Sequence, residues 1–139
     1  MKKSILLLTV VVLFSSCNNT KKVAEVSSEE IPSGKYEIRS IQGAPVYKMY
    51  FDIDTSENKI SGKTNCNSYS GNYSLTNNNI NFGTFISTKM YCEEHVMKEE
   101  HMLLKSYKDA TSFVFDNNMF TLSSEEGVLL QAYRLVKKQ

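Results

Sequence analysis

The chain has 139 residues, a formal net charge of +1 and charged residues of both signs. Because no basic stripe stands out, the composition gives no support for nucleic-acid binding. From Gly34 onward about a hundred residues remain, the common size of one domain and enough to bury a core without metals or many disulfides. We expect a monomer that needs no cofactor.

The first seventeen residues are typical of an export signal. Two lysines precede an apolar run, residues 5–14, and Ser15-Ser16-Cys17 closes it. The run is about half of the roughly twenty residues that span a bilayer, so it predicts a cleaved signal rather than an anchor helix. The small-small-Cys ending resembles the lipobox of bacterial lipoproteins, which implies a signal peptide over residues 1–16 and lipidation of Cys17.

Lipidation implies a cell-envelope protein held on a membrane through Cys17, with the outer membrane and a periplasm-facing domain as the expected arrangement. An ordinary secretory signal that leaves Cys17 as a spare thiol is the alternative. Residues 17–33 are polar and mixed in charge, which predicts a flexible tether to a domain over residues 34–139. If Cys17 is lipidated, the two remaining cysteines are Cys66 and Cys92, in a compartment that permits disulfides.

The domain has the sequence pattern of antiparallel strands. Apolar and polar residues alternate with a period of two in short segments, which indicates strands with one buried face. Asparagine-rich turns separate some of them, at residues 77–79 and at Asn117-Asn118, because Asn tolerates the positive φ of tight hairpins. The predicted strands are residues 35–40, 49–54, 59–64, 73–75, 80–82, 113–115, 120–122 and 128–135.

One segment has helical spacing instead. From residue 93 to about residue 108 the alternation stops, and Glu100, Leu103 and Tyr107 recur on one stripe. Five strands, one helix and three strands therefore predict a mainly β (α+β) fold. We expect a strongly curved antiparallel sheet or small β-barrel of about eight strands, with the helix inserted between strands five and six.

Two short stretches carry a family resemblance. The first is ISGKTNCNSYSGNY at residues 60–73, and the second is STKMYC at residues 87–92, followed by the helix with Glu100. Together they resemble the META domain, also called the HslJ-like family, whose pattern is roughly S-G-x-x-G-C-N-x-Y-x-G-x-Y, then S-T-x-M-A-C and a helix with E-x-x-F. The resemblance spans about residues 34–135. The matching positions are Gly62, Asn67, Tyr69, Gly71, Tyr73, Ser87, Thr88, Met90 and Glu100.

Two positions depart from the family pattern. Asn65 replaces the usual Gly before Cys66, and we expect the turn to survive because Asn tolerates a left-handed conformation. Tyr91 replaces a small residue before Cys92, so its ring must either face solvent or fill a space. Neither change removes a motif side chain that is capable of chemistry.

The resemblance implies that the two motif loops meet, so that Cys66 and Cys92 form either a disulfide or two packed reduced thiols. Asn67 and Thr88 beside them suit the role of short polar side chains that satisfy backbone groups at a bend. Glu100 shares the inward stripe of the helix, and a buried carboxylate needs hydrogen-bond donors, such as backbone amides near Asn67 or Thr88. A structural role is favoured over binding or catalysis.

Other chemistries have weaker patterns. Cys92, His95 and His101, with methionines nearby, suggest a soft-metal site, but the two histidines are six residues apart and lie on opposite sides of a helix. No H-E-x-x-H or C-x-x-C motif occurs, so no metal ligand is predicted. Asp52 and Asp54 alternate with apolar residues as a solvated strand face does, and no catalytic residue is predicted.

Three functions remain open. The first is a non-enzymatic cell-envelope lipoprotein that contacts another macromolecule, such as an envelope protein partner, or acts in envelope stress. The family resemblance implies heat-shock or antibiotic-tolerance responses without a settled activity. The second is a carrier that holds a small apolar ligand inside the barrel, and the third is an enzyme or metal protein. An empty apolar interior favours the carrier, whereas an interior filled by four rings favours the first function. These rings are Phe51, Phe82, Phe113 and Phe115.

Overall fold

The computed structural model describes residues 30–136, which form ten β-strands and one α-helix. Cys17 and the rest of residues 1–29 lie outside the described part, so the signal, the lipidation and most of the tether remain predictions. The elements are β1 (Gly34–Ile41), β2 (Ala44–Pro45), β3 (Tyr50–Asp54), β4 (Lys59–Lys63), β5 (Ser68–Thr76), β6 (Asn79–Phe82), β7 (Ile86–Ser87), α1 (Glu94–Asp109), β8 (Ser112–Asp116), β9 (Met119–Ser124) and β10 (Gly127–Arg134).

The strands form a closed antiparallel barrel. Eight of them follow the order β10-β9-β8-β6-β5-β4-β3-β1, and β1 pairs with β10 to close the circle. The two remaining strands are additions, because β2 pairs with the end of β1 and β7 pairs with β5. The predicted mainly β fold and small barrel are therefore confirmed.

The predicted position of the helix is wrong. It was expected between strands five and six, but α1 lies between β7 and β8, with seven strands before it. The discrepancy comes from β2 and β7, which are two residues long each. A period-two pattern needs about four residues to be recognised, so strands this short leave no signal in the sequence.

Asparagines occupy several tight turns, as the sequence predicts. Asn117 and Asn118 have φ of 49° and 63°, the pair of positive values that a two-residue type I′ hairpin requires. Asn65 does not belong with them, since it is absent from the described residues that have positive φ. The turn survives as expected, but without a left-handed conformation at Asn65, whose side chain donates a hydrogen bond to the backbone oxygen of Tyr47 at 3.1 Å.

Aromatic rings fill the barrel interior. Tyr36 and Phe51 stack with centroids 5.0 Å apart, and Phe120 packs edge-on against both at 5.8 Å. Of the four phenylalanines expected inside, Phe51 and Phe113 are buried, and the other two, Phe82 and Phe115, are partly buried against the same core.

Helix α1 covers one end of the barrel. The ring of Tyr107 is fully buried and packs against Phe51, Phe82 and Phe85. Nearer the start of the helix, Glu100 contacts the turn between β4 and β5. No helix among residues 30–136 is long and apolar enough to cross a membrane.

The segment just before β1 covers the opposite end. Ser33 contacts Thr55 in the turn between β3 and β4, at the other end of β4 from the turn that α1 touches. Ile31 is 2% exposed, and the Tyr36 hydroxyl donates to the backbone oxygen of Pro32 at 2.6 Å. Residues 30–136 thus contain the whole barrel, the cover at each end and the common core, which is what a domain needs to fold by itself.

Candidate functional site

The turn between β4 and β5 is organised by Thr64. Its hydroxyl oxygen accepts hydrogen bonds from the backbone N–H groups of Cys66 and Asn67 at 3.1 and 2.8 Å. Its own N–H donates to the backbone oxygen of Asn67 at 2.8 Å. A threonine that accepts from residues two and three positions later stabilises a turn locally. Thr64 is not among the predicted site residues, although that spacing is a signal in the sequence.

The carboxylate of Glu100 lies against this turn and is nearly buried, with 7% of the residue exposed. One oxygen accepts from the Thr64 hydroxyl at 2.7 Å and from the Asn67 N–H at 3.2 Å. The other accepts from the side-chain amide of Asn67 at 3.0 Å. Three donors directed at an ionised acceptor offset the cost of burying its charge. The expected backbone donor at Asn67 is present, whereas Thr88 bonds to Asn67 instead.

The side chain of Asn67 joins three segments of the chain. Its oxygen accepts from the Thr88 hydroxyl at 2.7 Å and from the Met90 N–H at 2.8 Å. Its NH₂ group donates to Glu100 and, at 3.3 Å, to the backbone oxygen of Met90. An amide side chain has two donors and one acceptor oxygen, and here all of them are used.

A disulfide between Cys66 and Cys92 crosses the same region. Their Cα atoms are 6.1 Å apart and 26 positions apart in the chain. Of the two alternatives left open by the sequence, the disulfide is therefore confirmed. We call this set the Asn67 cluster; its members are Thr64, Cys66, Asn67, Thr88, Cys92, Glu100 and the backbone of Met90.

The motif glycines make room for aromatic rings on the inner face of β4 and β5. A Cβ on Gly62 would lie 2.5 Å from the ring of Tyr69 and 2.6 Å from the backbone oxygen of Tyr50. A Cβ on Gly71 would lie 2.9 Å from the ring of Phe85. The spacing of glycine and tyrosine in the motif thus reflects close packing in the core.

Two motif tyrosines, Tyr69 and Tyr73, point inward. The hydroxyl of Tyr69 lies 3.0 Å from that of Tyr107 on α1, and burial raises the pKa of both groups. They therefore stay neutral at ordinary pH. Tyr73 is also buried, and its hydroxyl has no hydrogen-bond partner within the described residues. Ser87 lies opposite Tyr69 in β7, beside a groove of about 660 Å³ on the outer wall.

The arrangement leaves little that is free to react. The acceptor atoms of Glu100 are occupied, Cys92 is in a disulfide, and His95 and His101 are exposed on α1. Within residues 30–136, no group of three or more His, Cys, Asp or Glu side chains is placed to hold a metal ion. The chemistry visible here is that of hydrogen bonding and covalent cross-linking.

The fold and the site define a small helix-capped antiparallel β-barrel whose two sequence motifs meet at one end. The family model of the META domain matches residues 29–137, and the chain belongs to this family. The resemblance read from the two motifs is thereby confirmed.

Solved structures share the fold. An NMR structure of a protein from Burkholderia xenovorans is 20% identical, with a TM-score of 0.62 over 79% of this chain and 87% of that one. A crystal structure of a DUF4847 family protein from Bacteroides vulgatus is 12% identical, with a TM-score of 0.55 over 77% of this chain and 95% of that one. At these identities the likeness concerns the fold alone. No curated protein is significantly similar to the chain.

Proposed function

We propose that the protein is a non-enzymatic cell-envelope lipoprotein. Cys17 attaches it to a membrane, the outer membrane with the domain facing the periplasm, and the META domain contacts another macromolecule in a response to envelope stress. The N-terminal pattern of two lysines, an apolar run and Ser15-Ser16-Cys17 supports the attachment.

One observation carries the non-enzymatic part of the proposal. The polar residues that the motif supplies bond to one another, since the donors and the acceptor of the Asn67 side-chain amide are all engaged by Thr88, Met90 and Glu100. A catalytic group needs a free acceptor or donor beside a space for substrate. The Asn67 cluster offers buried, satisfied groups instead, which supports a role in holding the barrel end together.

The carrier alternative has less support because the interior is occupied. Tyr36 and Phe51, neighbours on β1 and β3, both contact Phe120 of β9 inside the barrel, where a ligand would have to lie. Native mass spectrometry of the protein purified from the envelope tests this point. We expect the mass of the processed, lipidated chain alone, and a retained small molecule would favour the carrier.

The attachment is tested by replacing Cys17→Ser. We expect the variant to move from the membrane fraction to the soluble fraction and to lose incorporation of radiolabelled palmitate. The neighbouring replacement Asn18→Ser serves as the matched control and should stay membrane-bound and labelled. Equal membrane association of Cys17→Ser and the unaltered protein would overturn the proposed anchor.

A further inference from the structure

Three loops at the α1 end of the barrel expose large side chains. Tyr47 is 74% exposed, Met90 is 54% exposed and Tyr91 is 95% exposed. Tyr91 therefore faces solvent, one of the two outcomes expected for it. We call this surface the loop face; its exposed members are Tyr47, Lys48, Lys63, Asn65, Lys89, Met90 and Tyr91.

The segments that form the loop face carry charge of one sign. Their three charged side chains are lysines, and residues 46–49, 63–67 and 88–92 contain no carboxylate, while Lys63 also lines the outer-wall groove that contains Asp52. The chain as a whole balances 16 basic against 15 acidic residues, so this separation is local. The next carboxylates along the chain, Glu93 and Glu94, belong to the start of α1, and Glu93 lies 3.4 Å from the imidazole of His95.

The loops that carry these side chains are tied to each other. Asn65 donates to the backbone oxygen of Tyr47, and the backbone of Met90 is held on both sides by Asn67. The disulfide from Cys66 to Cys92 links residues 63–67 to residues 88–92. The two tyrosines and the methionine are thus displayed from a frame that is ordered before any partner arrives, which lowers the entropic cost of binding.

We propose that the loop face binds the surface of a bilayer that contains anionic phospholipid. Tyrosine rings suit the membrane–water interface because one end is apolar and the other is polar. Lysines close to an anionic surface each add about a fivefold preference for it. Tyr47, Met90 and Tyr91 enter the headgroup region, while Lys48, Lys63 and Lys89 pair with lipid phosphates.

The same features disfavour a second copy of the chain as the occupant. A self-dimer through this face would bring lysines against lysines. A stable protein interface also buries about 800 Å² per partner, more than three exposed side chains supply. The extended length of residues 17–30 is at most roughly 45 Å, longer than the roughly 30 Å diameter of a domain of this size. An anchor at Cys17 and a contact through the far end of the barrel are therefore compatible on one membrane.

The inference does not depend on Cys17, so it is tested with the chain beginning at residue 18, which lacks the signal and the lipid. The probes are vesicles of phosphatidylethanolamine with phosphatidylglycerol, and vesicles of phosphatidylcholine alone. We expect sedimentation with the anionic vesicles only, and less of it as salt screens the charges. Lys48→Gln combined with Lys89→Gln should lower the partition coefficient roughly twenty-five-fold. Lys59→Gln, at the opposite end of β4, should change it less than about twofold.

Insertion of the Tyr91 ring into the headgroup region is tested separately from the attraction between lysines and anionic lipid. The chain contains no tryptophan, so Tyr91→Trp introduces a single fluorescent reporter on the loop face. Its emission should shift to the blue with anionic vesicles, whereas that of Tyr133→Trp, on the outer wall in β10, should not shift. Equal binding to both kinds of vesicle, no binding to either, or unchanged Tyr91→Trp emission would each overturn the proposal. None of these outcomes bears on the anchoring test at Cys17.

Discussion

The fold places the charged carboxylate of Glu100 where almost no water reaches it. Its position is determined by Leu103 and Tyr107, which anchor the same face of α1 in the core. The helix therefore brings the carboxylate to the β4–β5 turn whether or not the turn accepts it. Thr64 and Asn67 supply the donors, and the turn and the helix stabilise each other through this contact.

Glu100→Gln is expected to lower the free energy of unfolding by about 2 kcal/mol. The shape is kept, but the new NH₂ group faces either the Asn67 amide, which is a donor, or the Thr64 side, where an oxygen already accepts two N–H groups. Urea denaturation measures the effect. Glu99→Gln, next to it on α1, should change stability by less than about 0.5 kcal/mol. Equal stability of the two variants would show that the charge of Glu100 contributes nothing to stability.

The buried tyrosines predict a loss of stability at high pH. Burial, partly opposed by the charge of Arg134, raises the pKa of Tyr36 from 10.0 to about 12, and burial also raises the pKa of Tyr69. The folded protein thus holds these protons more tightly than the unfolded chain does, so the free energy of unfolding falls as pH rises. The contribution of Tyr36 is complete below pH 10 and is lost as pH approaches 12.

Denaturation curves recorded below and above pH 10 measure this loss. Tyr36→Phe serves as the comparison, because it keeps the ring and removes the ionisable group. The variant should lose less free energy of unfolding than the unaltered protein over the same pH interval. A larger loss in the variant would contradict the assignment.

The sequence predicted much of the site at the scale of single residues. Asn67 and the cysteine pair were identified because the motifs place them in two loops. Glu100 was identified because it lies on the inward stripe of the helix, where a buried polar group requires partners. The contribution of Thr64 and the unexceptional backbone of Asn65 were not predicted. Both depend on the path of the turn, which is decided by tertiary contacts to Glu100 and Tyr47 rather than by local propensity.

At the scale of elements, the β4–β5 pair depends on a glycine. Gly62 faces inward beneath Tyr69, and the nearest atoms to a new Cβ include backbone, which cannot rotate away. Gly62→Ala should therefore destabilise by about 2–3 kcal/mol. Gly83→Ala is the matched control, since its nearest neighbour is 3.5 Å away and its φ is not positive. Thermal or urea denaturation distinguishes the two, and a tolerated alanine at position 62 would contradict the close packing.

The disulfide fastens the β4–β5 turn to the loop that leads into α1. Removing it through Cys66→Ala with Cys92→Ala should cost about 3.5 kcal/mol, since the closed loop is 26 positions long. Reductant should lower the urea midpoint of the unaltered protein to that of the double variant and leave the variant unchanged. Alkylation of both thiols in native protein without reductant would contradict the bond.

The strands and the helix could be predicted to different degrees. The longer strands carry an alternating pattern, and α1 carries a stripe whose inward members are buried as expected. In contrast, β2 and β7 exist through backbone pairing to β1 and β5, with two residue pairs each. Backbone pairing of this kind is independent of side-chain hydrophobicity, so it left no periodic signal.

At the scale of the whole molecule, the barrel is a core with two open ends that must be covered. Helix α1 covers one end with Tyr107, and Ile31 covers the other. The sequence predicted the helix that forms the first cover because sixteen residues give a helical period. It assigned Ile31 to a polar tether, since a single apolar residue among charged ones has no period.

Ile31→Ala should lower the free energy of unfolding by about 2–4 kcal/mol, because it leaves a cavity beneath the end of the barrel. Ile86→Ala, which removes an exposed side chain of the same type, should cost less than about 0.5 kcal/mol. A chain beginning at residue 34 should be at least as unstable as Ile31→Ala, because it also removes the backbone oxygens that accept from Tyr36 and Arg134. Urea denaturation compares these chains with one beginning at residue 30. If the chains beginning at residues 30 and 34 unfold at the same midpoint, the barrel end needs no cover and the domain begins at β1.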